Sequence, residues 1–385
     1  MIKKNIFNQN FLLVSHYATY AMQDLLYGYL TENSARYIKK INFPLPELPF
    51  LKRIEIEENK NGKTMNKLSW ISLVYPAPIA YLLHFLQFLW LGLTDNHLYE
   101  VVVAEDSLLA LASLMLKKIG KVKNVVFYSH GLAGNRFDIT IVNDLYIWMD
   151  KYVALQSDLN WLLSKKMVAV RLEQGVKSEN IFWVPTALQL SKIKRSLTVK
   201  ANSLVFLGTF NEMNGVLLLP DIMRDIKKTN PNITLDIIGD GPLKKELEAK
   251  IEKFHLSKAI NLLGLQQFED YKDSLTNHAI GIAPYKPSTN NLLQSTDPMK
   301  LRLYMAAGIP ILTTKGFAFS KEVVENKLGF AVEYSSKAYG KQLQIVLKNR
   351  YLLDEIRKKA LVYSKQFDQD NVFKKPLLKV LYEEK

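Results

Sequence analysis

Short apolar runs that close on small or polar residues alternate along this chain with stretches whose apolar positions recur every three or four residues. This is the rhythm of buried strands followed by amphipathic helices. Residues 11–15 form the first run, His16 and Tyr17 leave it, and residues 20–30 have helical spacing. Residues 101–104, 124–128, 181–186, 203–208, 234–238, 261–264 and 279–285 repeat the run, with helical patterns between several of them. Alternation of this kind through both halves predicts an α/β protein of two Rossmann-like, doubly wound domains facing across a cleft. The polar, lysine-rich segment 189–202 reads as a linker, which places an N-terminal domain at 1–190 and a C-terminal one at 203–365.

One stretch combines several signals. Residues 295–314 read as loop, helix, glycine turn and strand: Pro298 suits a first helical turn, Leu301, Tyr304 and Met305 fall at helical spacing, and Gly308 suits a left-handed cap. The helix start faces a loop of Ser, Thr and Asp. Its unpaired N–H groups and partial positive charge favour a phosphate there, with Lys300 as a point-charge partner. An ordinary crossover with a surface lysine is the alternative.

The most apolar segment, residues 70–94, is either a core helix of the first domain or an interfacial helix presenting Tyr81, Phe85, Phe88 and Trp90 to lipid. Against a membrane span stand Pro76 and Pro78, His84 and Gln87, and an uninterrupted run, 79–93, too short to cross.

Composition narrows the chemistry. The chain has 385 residues and no cysteine, which excludes disulfides and thiolate metal sites and suits a cytoplasmic location. Six histidines without metal-ligand spacing leave no metal expected. A formal net charge of +14 calls for a polyanionic partner: a nucleotide diphosphate or an anionic membrane, the latter implying a peripheral position on the inner face of the cell membrane. Nucleic acid is not expected, since no arginine-rich tract or aromatic-interleaved RNA motif appears. The N-terminus reads as strand rather than signal peptide.

Loops leaving the strands of an open parallel sheet border the ligand crevice, so Ser15, His16 and Tyr17 are candidate contacts. His130, at a strand exit beside Gly131 and Gly134, is the histidine best placed for a ligand. Asp106, with Glu105 and Ser107, opens a helix as a cap and is also a candidate for the same rim.

The 295–314 stretch resembles the donor-site signature of family 4-like GT-B glycosyltransferases, P-x-K-x-x-E-Y-M-A-x-G, here as Pro298, Lys300, Tyr304, Met305, Ala306 and Gly308. The acidic pair of that pattern falls on Ser295 and Leu303. Residues 239–242 are similar to the family's "iiGdGp" turn. Its "GR-x-x-x-x-KG" loop falls at Gly208, with Thr209 and Asn214 near the cation positions and Gly215 retained. Residues 150–157 and 159–165 resemble a strand and helix near the end of the first domain, and 366–385 a helix crossing back to that domain.

The resemblance implies sugar transfer from a nucleotide diphosphate sugar, UDP- or GDP-linked, to a glycan or lipid-linked acceptor in surface polysaccharide or glycolipid synthesis. It implies retention at the anomeric carbon and no metal or cofactor. The implied donor-binding residues are Gly208, Thr209, Gly239, Asp240, Gly241, Pro284, Tyr285, Ser295, Pro298, Lys300 and Leu301. His130 and Lys300 take catalytic roles, and Ser15, His16, Tyr17 and Asp106 meet the acceptor. A non-catalytic GT-B-like subunit that binds a partner transferase is the alternative.

Overall fold

The computed structural model describes the chain apart from residues 1–7, 18–21, 48–51, 74, 135–136, 138, 196–197, 288–296 and 383–385. It divides into two compact units: Met1–Ala187 with Gln369–Lys385, and Leu188–Asp368.

The first unit is built on a sheet of β1 (Asn10–Tyr17), β2 (Tyr37–Pro44), β3 (Arg53–Lys60), β4 (Lys63–Ile71), β5 (Tyr99–Ala104), β6 (Val122–Ser129), β7 (Leu159–Leu162) and β8 (Ile181–Trp183). Their order is β4-β3-β2-β1-β5-β6-β7-β8. All pairs are parallel except β2–β3 and β3–β4, an antiparallel extension on one edge. Parallel strands buried on both faces demand continuous apolar runs, and Phe11, Leu13, Val101 and Val103 on one face alternate with Leu12, Val14, Val102 and Ala104 on the other, all buried. Helix α1 (Met22–Glu32) follows β1, and helices α2 (Ala77–Thr94), α3 (Ser107–Lys118) and α4 (Thr140–Gln156) cover the second face, through Phe88, Leu109, Met149 and Val153 among others. On the opposite side, the Gln369–Tyr382 helix brings Phe373 against Tyr29 and Trp161, with ring centroids 5.6 and 6.4 Å apart.

The second unit has a fully parallel sheet of β9 (Lys200–Leu207), β10 (Thr234–Ile238), β11 (Ile260–Gly264), β12 (His278–Ala283), β13 (Ile311–Thr314) and β14 (Gly329–Val332), in the order β11-β10-β9-β12-β13-β14. In each unit the order reverses beside the first strand, at β1/β5 and β9/β12, and loops at such a reversal form a crevice.

Two local expectations are corrected, and one element lies where the sequence reading assigned none. Residues 150–156 are the last turns of α4, and the strand is Leu159–Leu162. Met149, Val153 and Ala154 keep helical spacing onto the core, and Asp150 is buried against Arg171, 2.6 Å away. Pro76 and Pro78 stand at the start of α2, where their missing N–H groups cost nothing, rather than interrupting it. Residues 53–71 form the β3–β4 hairpin, whose polar composition and exposed second strand hid it from a pattern of buried runs.

Candidate functional site

In the second unit the loops leaving β9, β10 and β12 are locked together by glycines. A Cβ at Gly239 would lie 2.0 Å from the Gly208 carbonyl oxygen, one at Gly215 would lie 1.7 Å from that of Pro284, and one at Gly241 would lie 2.7 Å from the Phe210 nitrogen. Gly208, Gly239 and Gly241 have φ of 141°, 146° and 156°, outside the comfortable range of other residues. Their packing holds Gly208, Thr209, Asp240 and Pro284 around the carboxyl ends of the strands.

The helix Met299–Ala306 begins beside this rim, with Pro298 as its N-cap, and Gly308 closes it in the left-handed conformation at φ 68°. Lys300 on its first turn is buried rather than on the surface. Its Nζ donates to Asn214 Oδ1 at 2.9 Å and lies 4.4 and 4.8 Å from the ring centroids of Phe206 and Tyr285. A Cβ on Gly208 would stand 2.8 Å from that ammonium group. Among the described residues, no carboxylate forms an ion pair with Lys300, and burial lowers its pKa to about 7. Asn214 is held in turn by its own amide, Nδ2 donating to the Thr209 carbonyl at 2.9 Å.

The next cation has the opposite surroundings. Arg302 is buried between Asp297 and Glu322, with its Nε 2.8 Å from Asp297 Oδ1 and its Nη1 2.6 Å from Glu322 Oε1. Burial opposes its charge, but the two carboxylates outweigh it and raise its pKa. Arg302 therefore fastens the helix start to the Ala318–Glu325 helix and is spent structurally.

Several expected donor contacts are corrected by burial. Leu301 is a core residue whose N–H donates to the Pro298 carbonyl at 3.0 Å, which leaves it no free amide. Tyr285 is buried, its ring set edge-on to Phe317 and tilted against Phe319, and forms a wall beside Lys300. Leu303 is 7% exposed and faces the core. Ser295 lies outside the described residues. Asp240 is at the surface, its carboxyl held below the usual range by Lys244 at 3.0 Å and by the Gly241 N–H.

The first unit gathers its candidates at the β1/β5 reversal. Asp106 Oδ1 accepts from the Leu108 and Leu109 N–H groups at 3.0 Å, capping α3, while its Oδ2 lies 2.5 Å from His16 Nδ1. His16 Nε2 is in turn 3.0 Å from His84 Nδ1 on α2. Burial depresses the His84 pKa to about 3, with the neighbouring His16 adding to the shift. His16 is thus enclosed between two partners instead of facing a ligand. Ser15 is corrected too: it is fully buried and donates to Asn42 Oδ1 at 2.9 Å. Tyr17 remains partly exposed, with its hydroxyl 3.5 Å from the Arg53 carbonyl.

His130 reaches the rim from β6, and its Nε2 stands 3.6 Å from Glu105 Oε1. Burial shifts the His130 pKa down and, acting on the more deeply enclosed Glu105, shifts that carboxyl well above the usual range, so each is biased toward its neutral form. Sequence reasoning passed over Asn214, Glu105 and His84 as partners. The 239–242 turn and the Pro298–Lys300 signature mark only the second unit, and neither says what Lys300 touches.

Residues 190–363 match the family described as Glycosyl transferases group 1. A chitobiosyldiphosphodolichol beta-mannosyltransferase of Yarrowia lipolytica is 29% identical over 156 residues, 40% of this chain and 32% of that protein. An uncharacterized glycosyltransferase of Methanocaldococcus jannaschii is 22% identical over 204 residues, 51% of this chain and 48% of that one. The chain thus spans about a third to about a half of the length of these curated relatives. Among solved structures, Anabaena HepE in complex with UDP superposes with a TM-score of 0.65 at 12% identity, covering 96% of this chain and 98% of that one. Sucrose-phosphate synthase from Thermosynechococcus elongatus gives 0.69 at 14%, covering 94% and 96%. The family match is confined to residues 190–363, in the second unit, while the GT-B fold is shared with these structures along nearly the whole chain.

Proposed function

We propose that this chain transfers a hexosyl group from a UDP- or GDP-linked sugar to a glycan or lipid-linked acceptor, with the donor held by the second unit. The observation that carries this reading is Lys300: a buried ammonium with no carboxylate partner among the described residues, at a helix N-terminus on the carboxyl rim of a parallel sheet. A buried charge without a counter-ion is costly unless a ligand supplies one. A diphosphate does so, and the amide groups of the glycine-bearing loops add donors.

In the reaction, the bond from the anomeric carbon to the diphosphate oxygen breaks and its electron pair leaves on the diphosphate. Lys300, protonated on donor binding, stabilises that growing charge. The acceptor hydroxyl oxygen bonds to the anomeric carbon and its proton passes to the departing diphosphate; the rim of the first unit that carries His130 and Glu105 is the candidate for holding the acceptor. Retention at the anomeric carbon is part of the proposal. So is metal independence, since Lys300 with the helix start supplies positive potential.

Support for a lipid-linked acceptor comes from the name of the Yarrowia relative, which describes a dolichol diphosphate substrate for that protein. The test is release of nucleotide from a panel of UDP- and GDP-linked hexoses, with lipid-linked sugars as acceptors. Acceptor-dependent release from one donor is expected. Nucleotide binding without turnover on any donor would favour a non-catalytic subunit, the reading suggested by Thr209 and Asn214 at the cation positions.

A further inference from the structure

Helix α2 has two unlike faces. Its inner face is pinned to the first unit: His84 bonds to His16, Phe88 lies in the core, Tyr81 donates to Glu47, and Gly92 lets the helix close against Leu116. Its outer face carries Ile79, Leu82, Leu86, Trp90 and Leu93 to solvent, spaced as one stripe, with Trp90 63% exposed. No residue of its 18 is charged, and by length and composition alone the helix could cross a membrane. The contacts of the inner face hold it on the unit instead. Structure also corrects the sequence reading here, since Tyr81 and Phe88 point inward and only Trp90 of the expected aromatic set is fully outward.

The stripe continues across the helix layer. Met115 and Ile119 are exposed at the end of α3, which packs beside α2. Ile141, Leu145 and Trp148 are exposed on α4, which packs on the other side of α3. Edge-to-face stacking of Tyr81 on Phe137, and of Phe137 on Tyr146, joins the N-terminal ends of α2 and α4 beneath them. An apolar surface of this breadth marks an interaction site.

We propose that this surface docks the first unit onto an anionic lipid bilayer, with α2 lying in the interface. Charge selects that occupant. Exposed Lys118, Lys123 and Lys151 lie on or beside these helices without ion pairs among the described residues, against two exposed acids, Asp144 on α4 and Glu47 beside Tyr81 of α2. The chain as a whole carries +14, which opposes stacking of a second copy on the same face and favours a polyanionic surface. Outward tryptophans suit the headgroup level. The middle of α2 lies beside the β1 exit, through the His84–His16 bond, so a docked bilayer would border the rim assigned above to the acceptor. That last step rests on the acceptor reading, whereas the docking itself does not.

The test is co-sedimentation of the full chain, without nucleotide, with vesicles of equal parts phosphatidylcholine and phosphatidylglycerol, and with pure phosphatidylcholine vesicles. The expected result is binding to the anionic vesicles that high salt reverses, little binding to the neutral ones, and loss of binding in the double variant Leu82→Glu, Leu86→Glu. Both positions face solvent, so an unchanged melting curve is expected for the variant. A single variant, Trp90→Ser, serves as a second reading if the double variant fails to fold. The proposal is overturned if wild type stays in the supernatant with anionic vesicles at low salt, or if well-folded variants bind as wild type does. It is equally overturned if wild type is a dimer that the same substitutions convert to a monomer without any vesicle binding. Titration of UDP without vesicles reports separately on the donor site, so failure of one reading does not imply failure of the other.

Discussion

Lys300 Nζ donates to Asn214 Oδ1 at 2.9 Å, and this pair joins a buried cation to a neutral partner on the loop after β9. The amide satisfies one N–H but gives no counter-charge. The ammonium is therefore kept at a cost that the unliganded protein bears.

Replacing Lys300 by Met should stabilise the unliganded protein. The folded pKa of about 7 lies below the ordinary 10.5, so the unfolded chain holds the proton more tightly. The penalty is present in full below pH 7 and relieved as pH rises toward the unfolded value; near neutrality it is roughly 4 kcal/mol as an upper bound. Loss of the bond to Asn214 returns about 1–2 kcal/mol of that. A higher Tm together with abolished nucleotide binding is expected, and a lower Tm would mean that Lys300 serves the fold.

Nucleotide affinity should fall with rising pH. A bound diphosphate favours the charged lysine, so binding above pH 7 must take up a proton, and affinity should drop by up to about tenfold per pH unit there. Titrations of UDP or GDP from pH 6 to 9 check this. A flat profile would show that Lys300 is already charged or remote from the phosphates.

Asn214→Asp keeps the shape and adds the missing counter-charge. Lys300 should then stay protonated across that range, so the pH dependence disappears. Affinity for the nucleotide diphosphate should fall by roughly tenfold or more, about 1.4 kcal/mol, because the new carboxylate competes with the phosphates. Unchanged affinity would place the phosphates elsewhere.

Arg302 differs from Lys300 only two positions away. Arg302→Leu should destabilise the second unit by about 3–5 kcal/mol, since Asp297 and Glu322 lose their shared cation inside the protein. Urea denaturation measures it, and a loss under about 1 kcal/mol would contradict the bracing role.

The contrast between these two cations marks where sequence reasoning stopped. Most of the buried strands were legible because such strands need unbroken apolar runs, as in residues 101–104 and 279–283. The Gly308 cap was legible because only a left-handed residue ends that helix cleanly. Partners were not legible. Nothing in the sequence says that Arg302 meets Glu322 or that His16 lies between Asp106 and His84, because these contacts depend on side chains brought together by separate strands and helices. Burial of Ser15 and Leu301 was missed for a related reason: position at a strand exit or helix start does not fix which way a side chain turns. The β3–β4 hairpin escaped because an exposed edge strand carries no buried apolar run.

The central claim is that a nucleotide diphosphate supplies the counter-charge of Lys300. Calorimetric titration of UDP, GDP and ADP into wild type and Lys300→Met at pH 7, in buffers of different ionisation enthalpy, tests it most directly. The account predicts that one of these nucleotides binds wild type with net proton uptake, because burial lowers the apo lysine pKa to about 7 and the diphosphate restores its proton. Lys300→Met should show neither the heat nor the uptake. Binding of none of the three, or equal binding by the well-folded variant, would contradict it.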